Sequence, residues 1–220
     1  MGTVLPGEGP NADTEPSGSA DIEALGSEVA GFEIIDLATA TDGQFAQVLD
    51  LLGSCLGQGY VDASGLERYR AAPDTRVDLL MISNNNVIAV WLAQQLSNDK
   101  LQGIRSRLSI CGATIVLSSQ RVGLLESVAV KPGYRGRRLG SILTEAVMGR
   151  LKQQGSDLIL TLAWESGSKQ SSSAMFKSLG FQPAATVDRY WYEDSKMLGY
   201  RCPQCGNPCE CRATVFVRRP

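Results

Sequence analysis

Val128-Ala-Val-Lys-Pro-Gly-Tyr-Arg-Gly-Arg-Arg-Leu-Gly140 joins two runs of different period. Upstream, Val122 to Val130 is apolar and rich in β-branched residues, and Pro132-Gly133 ends it. This reads as a strand. Downstream, Leu139, Ile142, Leu143, Ala146, Val147 and Leu151 recur at helical spacing until Gly155 supplies a stop. Between strand and helix lies a short loop holding Gly133, Gly136 and Gly140 with Arg135, Arg137 and Arg138. First-turn N–H groups of a helix lack partners within it, and the helix dipole favours an anion there. Glycines let the backbone come close, and arginines add charge-assisted contacts to phosphate oxygens. The stretch therefore reads as a cradle for a pyrophosphate, with a basic surface turn as the bland alternative.

Strand, V-x-V-x-P-x-x-R-G-x-x-L-G and amphipathic helix together resemble the acyl-CoA-binding motif of the GNAT acetyltransferase superfamily. That pattern is Arg or Gln, two residues, Gly, one residue, then Gly or Ala. Arg135 and Gly140 fill its outer positions, and Arg138 stands where the inner Gly is usual. A non-glycine residue is compatible with a helical first turn, which is where this reading puts Arg138. Ala174-Met-Phe-Lys-Ser-Leu-Gly-Phe181 resembles the second signature of the family, a helix ending in Leu-Gly-Phe, with Gly180 as C-cap.

The resemblance implies an α/β fold with a mixed central sheet flanked by helices, acetyl-CoA as acyl donor and a primary amine as acceptor. It implies that Val128, Ala129 and Val130 offer backbone groups to the pantetheine arm, in a wedge where their strand splays from its parallel neighbour. It further implies that Arg135, Gly136, Arg137, Arg138, Leu139, Gly140 and Ser141 wrap the pyrophosphate. Many members carry a Tyr four residues before the Gly of Leu-Gly-Phe, as the acid for the leaving thiolate. Here that position, beside the cofactor, is Phe176, which donates no proton.

The chain has no histidine. A Ser-His or Cys-His nucleophile is thereby excluded, and direct attack by the amine is favoured. Glu126, between Leu125 and Ser127, is the candidate base: a carboxylate there could point into the cleft. An exposed strand carboxylate is the alternative, and Glu165, after the next strand, is the rival base. Arg189-Tyr190-Trp191-Tyr192-Glu193-Asp194 is similar to the Tyr-rich final hairpin that borders the acceptor peptide in protein N-terminal acetyltransferases. Tyr190, Trp191 and Tyr192 are the candidate substrate residues.

Cys202-Pro-Gln-Cys205-Gly-Asn-Pro-Cys209-Glu-Cys211 places four thiols within ten residues. Four soft ligands suit a closed tetrahedral zinc site, all-Cys where no His is available. Two disulfides and an iron–sulfur cluster are the alternatives. Cys55 and Cys111 lie in apolar surroundings and read as ordinary buried thiols.

At 220 residues the chain suits one domain of ordinary size. Residues 1–30 carry six acidic groups, no Lys or Arg, and much Gly, Pro and Ser, which reads as a disordered acidic tail. Subtracting it from the net charge of −2 leaves +4 on residues 31–220, the expected domain, which includes a knuckle at 201–212. That balance suits a polyanionic cofactor and falls short of a nucleic-acid-binding face, so no DNA partner is expected. No apolar run approaches a membrane span and no basic-then-apolar leader opens the sequence, which places the expected enzyme in the cytoplasm.

Three functions follow as expectations. Transfer of acetyl to a protein N-terminus or lysine comes first, and transfer to a small-molecule amine second. The non-enzymatic rival is a degenerate acyl-CoA-binding or interaction module, motivated by Phe176 and Arg138. The expected element order is β-α-α-β-β-β-α-β-α-β-β. It includes a hairpin turn at Asn84-Asn85-Asn86, a loop over 97–109, an extra strand near 113–117, and final strands near 186–192 and 214–218.

Overall fold

The computed structural model describes residues 31–109, 118–165 and 172–220. The acidic tail, Cys111 and the expected strand near 113–117 lie outside them.

Among the described residues, seven strands form one sheet: β1 (Glu33–Asp36), β2 (Leu79–Ser83), β3 (Asn86–Gln95), β4 (Val122–Val130), β5 (Leu158–Glu165), β6 (Gln182–Val187) and β7 (Arg212–Arg218). Their order is β1-β2-β3-β4-β5-β7-β6, antiparallel except for β4 beside β5. The helices are α1 (Asp42–Leu56), α2 (Ala63–Arg70), α3 (Asn98–Ser109), α4 (Leu139–Gln153), α5 (Ser173–Ser178) and α6 (Tyr192–Leu198).

Alternation along β2 and β3 assigns the layers, because successive side chains point to opposite faces. Leu79, Met81, Ala89 and Trp91 pack with Leu139, Leu143, Val147 and Leu151 of α4 and Phe176 of α5. Leu80, Ile82, Val90 and Leu92 pack with Phe45, Val48 and Leu52 of α1 and Leu66 of α2. Both faces are covered, so these strands read as continuous apolar runs. Thr41 caps α1 through a capping box with Gln44, worth about 1 kcal/mol. Asn84 and Asn85 both take positive φ in the β2–β3 turn, as their short polar side chains allow.

Two expectations are corrected. The polar stretch 97–109 is largely helix: Leu101, Ile104 and Leu108 make a stripe three and four residues apart that packs on Val122, Leu124, Leu158 and Leu160. Tertiary burial of three side chains outweighs an otherwise polar composition. The final strand pair also ends sooner than expected. β6 stops at Val187, Arg189 turns the chain at φ 54°, and Tyr192 begins α6, so Tyr190 and Trp191 sit in a turn.

Candidate active site and metal centre

β4 and β5 are paired only from Val122 to Leu125 against Leu158 to Thr161. Thr161 Oγ1 donates to the Leu125 carbonyl at 3.1 Å where the pair ends. Beyond it, β4 follows β3 while β5 follows β7, and the strands fork. A cavity of about 610 Å³ opens at that fork.

At one end stand the turn after β4 and the start of α4. Arg135, Gly136, Arg138, Leu139, Gly140 and Ser141 line the cavity there, with Val128, Ala129 and Val130 on the open edge of β4. Gly136 and Arg138 have φ of 77° and 62°. Arg138 is therefore the left-handed residue just before the helix, not part of its first turn. This backbone explains why glycine is usual there, and an arginine bears about 1 kcal/mol of strain. Gly140 lies where a Cβ would meet Met175 Sδ at 3.1 Å, so α4 and α5 approach closely across its bare backbone. Two arginines do other work than expected. Arg135 Nε donates to the Val130 carbonyl at 2.9 Å, clipping the turn to the strand. Arg137 sits over the Tyr134 ring and does not line the cavity.

Phe176 is 1% exposed and packs against Trp91, Phe181 and Phe216, forming part of the cavity wall. Trp91, also on that wall and 1% exposed, has an indole N–H without a partner among the described residues. A buried orphan donor costs roughly 1–3 kcal/mol unless an acceptor arrives. An open strand edge and a bare helix start fit a long ligand bearing phosphates and amide carbonyls.

The other end was mostly invisible in sequence. Opposite β3, Leu92 faces Ser127 and Ala93 faces Leu125, which leaves Glu126 as the extra residue of a bulge. Bulges re-aim side chains, and Glu126 turns towards Arg76 and Gln94. Arg76 Nη2 donates to it at 2.6 Å, and Gln94 Nε2 donates to its other oxygen. Arg76 is itself buried and donates twice to Asp78, at 2.6 and 2.9 Å. Burial raises the Asp78 carboxyl above its ordinary range, against the opposing pull of Arg76. Glu126 lines both the main cavity and an adjoining compartment of about 260 Å³. Glu165 lines neither and accepts a hydrogen bond from Ser173 Oγ.

Tyr60 and Ser127 share a 3.0 Å hydrogen bond on this side. Burial pushes the Tyr60 phenol up to about 12, so it holds its proton at neutral pH. Tyr60 stacks edge-on against Tyr200, whose phenol burial also raises. Neither tyrosine belongs to a motif in the sequence. Tyr60 follows Gly57, where a Cβ would lie 2.2 Å from the Arg201 carbonyl oxygen, a contact made across the whole chain. Tyr190 and Trp191 line the adjoining compartment, whereas Tyr192 lies under Arg189 and is absent from both linings.

The four cysteines converge. Their sulfurs lie within 4.8 Å of one another, at 3.8 Å for Cys202–Cys211 and Cys205–Cys209 and 3.5 Å for Cys205–Cys211. Zinc–sulfur bonds of about 2.3 Å make a tetrahedron with edges of roughly 3.8 Å, and a disulfide needs about 2.05 Å. The donor set fits a tetrahedral cation and not two disulfides. Burial pushes the Cys211 thiol up to about 11 and Cys209 higher still, a tendency that a bound cation reverses. Asn207 donates to the Ser195 and Tyr200 carbonyls at 2.6 and 2.9 Å, and the Cys209 N–H donates to Ser195 Oγ. The knuckle thus holds α6 and Tyr200, and Cys202 and Cys209 themselves line the cavity.

Residues 102–192 match the family described as FR47-like protein. No curated protein sequence matches the chain. Among solved structures, a chain of the NatC complex bound to Gag peptide and CoA is similar at TM-score 0.60 and 15% identity, over 86% of this chain and 98% of that one. The Drosophila melanogaster polyamine N-acetyltransferase, which forms N-acetylagmatine, gives 0.57 and 16%, over 86% and 100%. The Escherichia coli ribosomal-protein-S18-alanine N-acetyltransferase gives 0.55 and 14%, over 86% and 93%. The chain has the fold of the GNAT acetyltransferases.

Proposed function

We propose that this GNAT-fold chain is an acetyl-CoA-dependent N-acetyltransferase of primary amines, with a peptide amine as first acceptor and a small-molecule amine as second. The observation that carries the reading is the fork between β4 and β5. It joins a helix-start cradle on one side to a carboxylate and a phenol on the other. Acetyl-CoA supplies the acetyl group as a thioester.

The backbone of residues 135–141 would hold the pyrophosphate, and the open edge of β4 at 128–130 would hold the pantetheine arm. Glu126, fixed by Arg76 and Gln94, is the carboxylate on the acceptor side and receives the proton of the incoming amine. Glu165, which accepts a hydrogen bond from Ser173 Oγ, is the rival base. Phe176 shapes the wall, and Tyr60 supplies the proton that Phe176 lacks. Four unpaired thiols suit a reducing compartment such as the cytoplasm.

Cys202, Cys205, Cys209 and Cys211 are proposed to bind one zinc. Four thiolates close the coordination sphere, so its role is to fix the loop. Elemental analysis under reducing conditions tests this, with one zinc per chain expected and iron or no metal rejecting it. The second functional reading, an acyl-CoA-binding module without catalysis, draws on the buried Phe176. Acetyl transfer to a panel of peptides and small amines decides between them: detectable product supports the transferase, and bound acetyl-CoA with no product supports the module.

A further inference from the structure

The adjoining compartment neutralises its own charge. Glu126 is held by Arg76 at 2.6 Å, and Asp194 is gripped by both terminal nitrogens of Arg107 at 2.9 and 2.8 Å. Lys100 adds a further cation nearby, bonded to Gln94 at 2.6 Å. The aromatic faces are engaged as well: Arg76 lies 3.6 Å over the Tyr69 ring and Arg107 5.5 Å over Tyr190. Carboxylates and aromatic faces are what draw a cation, and here arginines of the chain itself occupy both carboxylates and the Tyr69 and Tyr190 faces. Leu92, Leu124, Leu162, Trp191 and Leu198 give the compartment an apolar side, opposite the uncharged hydroxyl groups of Tyr60, Ser127 and Tyr200. Leu198 is 67% exposed, so this apolar lining runs out to the surface.

We infer that the acceptor is a primary amine with a bulky apolar, preferably aromatic, group beside it and no second cationic centre. The inference rests on the transferase reading and narrows its substrate. A second ammonium would shed its hydration without finding an unpaired anion, whereas a ring or branched side chain removes apolar wall from water.

The test compares phenethylamine, tetrapeptides beginning with Phe or Ser, agmatine and spermidine under saturating acetyl-CoA. The expected kcat/KM for phenethylamine or the Phe peptide exceeds that for agmatine, spermidine and the Ser peptide at least tenfold. A lead for the peptide assigns the source to chain termini, and a lead for phenethylamine assigns it to small amines. Equal or better use of agmatine, spermidine or the Ser peptide overturns the inference. Leu198→Glu, on the exposed rim, should reduce the preference at least fivefold with acetyl-CoA affinity unchanged, and an unaltered preference also counts against it. Calorimetry on the CoA-bound protein ranks the same compounds by affinity. That ranking decides the inference even where no acetyl moves, an outcome that would count against the transferase reading alone.

Discussion

The phosphate end of the cavity comes from one uninterrupted run, β4 through α4, whereas the acceptor end draws Tyr60, Tyr69, Glu126, Trp191 and Tyr200 from separate parts of the chain. In the first, residues adjacent in sequence are adjacent in space, and backbone amides are the proposed ligand contacts. In the second, side chains meet because β3 carries Gln94 past Glu126 and the knuckle pins α6 and Tyr200 near Tyr60. A local binding element tolerates remote change. An assembled one depends on everything that holds its pieces together.

Removing the proposed zinc should separate the two ends most sharply. A structural zinc that contributes even about 4 kcal/mol should lower the thermal midpoint by roughly 10 °C in a domain of this size when it is chelated. Acetyl-CoA affinity should survive, because the cradle lies on another strand–helix unit. Scanning calorimetry and ligand titration of chelated protein check both halves, and joint loss of the two would break the division.

Glu126→Gln should lower kcat on the order of 10²-fold while leaving acetyl-CoA binding nearly intact, because it removes proton transfer and no cradle contact. Steady-state kinetics with the best acceptor measure it. If Glu165→Gln shows this pattern instead, the base is misassigned.

Gly140→Asp strikes the other end. It adds bulk against Met175 and negative charge at the phosphate position, and should weaken acetyl-CoA by at least ~2 kcal/mol with the metal centre and thermal midpoint little changed. Unchanged affinity by calorimetry would sink the cradle.

Tyr60→Phe should lower turnover by about tenfold, at the weak end of general acid catalysis. It also carries a pH signature. Burial raises the folded phenol to about 12 from an ordinary 10, so folding favours the protonated form. That stability is whole below pH 10 and is lost as pH rises towards 12, because the unfolded chain releases the proton first. Denaturation midpoints measured across this window should fall less steeply in Tyr60→Phe than in the parent chain.

The cradle was legible because its signals are short-range: a β-branched run, glycines, arginines and a helical stripe within about thirty residues. The Asn84-Asn85 turn and the four-cysteine cluster were legible for the same reason. The stripe of Leu101, Ile104 and Leu108 was present in sequence, yet only the apolar bed of β4 and β5 makes that polar stretch a helix. Arg138 shows a subtler limit, since its departure from glycine is visible in sequence but its left-handed backbone is not.

By itself, then, the sequence determined the order of strand, turn and helix, the glycines and arginines of the turn between them, and a thiol set with no histidine to join it. All of these follow from periodicity and spacing along one stretch of chain. Only the tertiary structure decided that β4 and β5 part after Leu125, that a bulge turns Glu126 onto Arg76, and that Tyr60 meets Ser127 sixty-seven residues away. Those depend on strand register and on packing across the sheet, and neither leaves a mark on neighbouring residues.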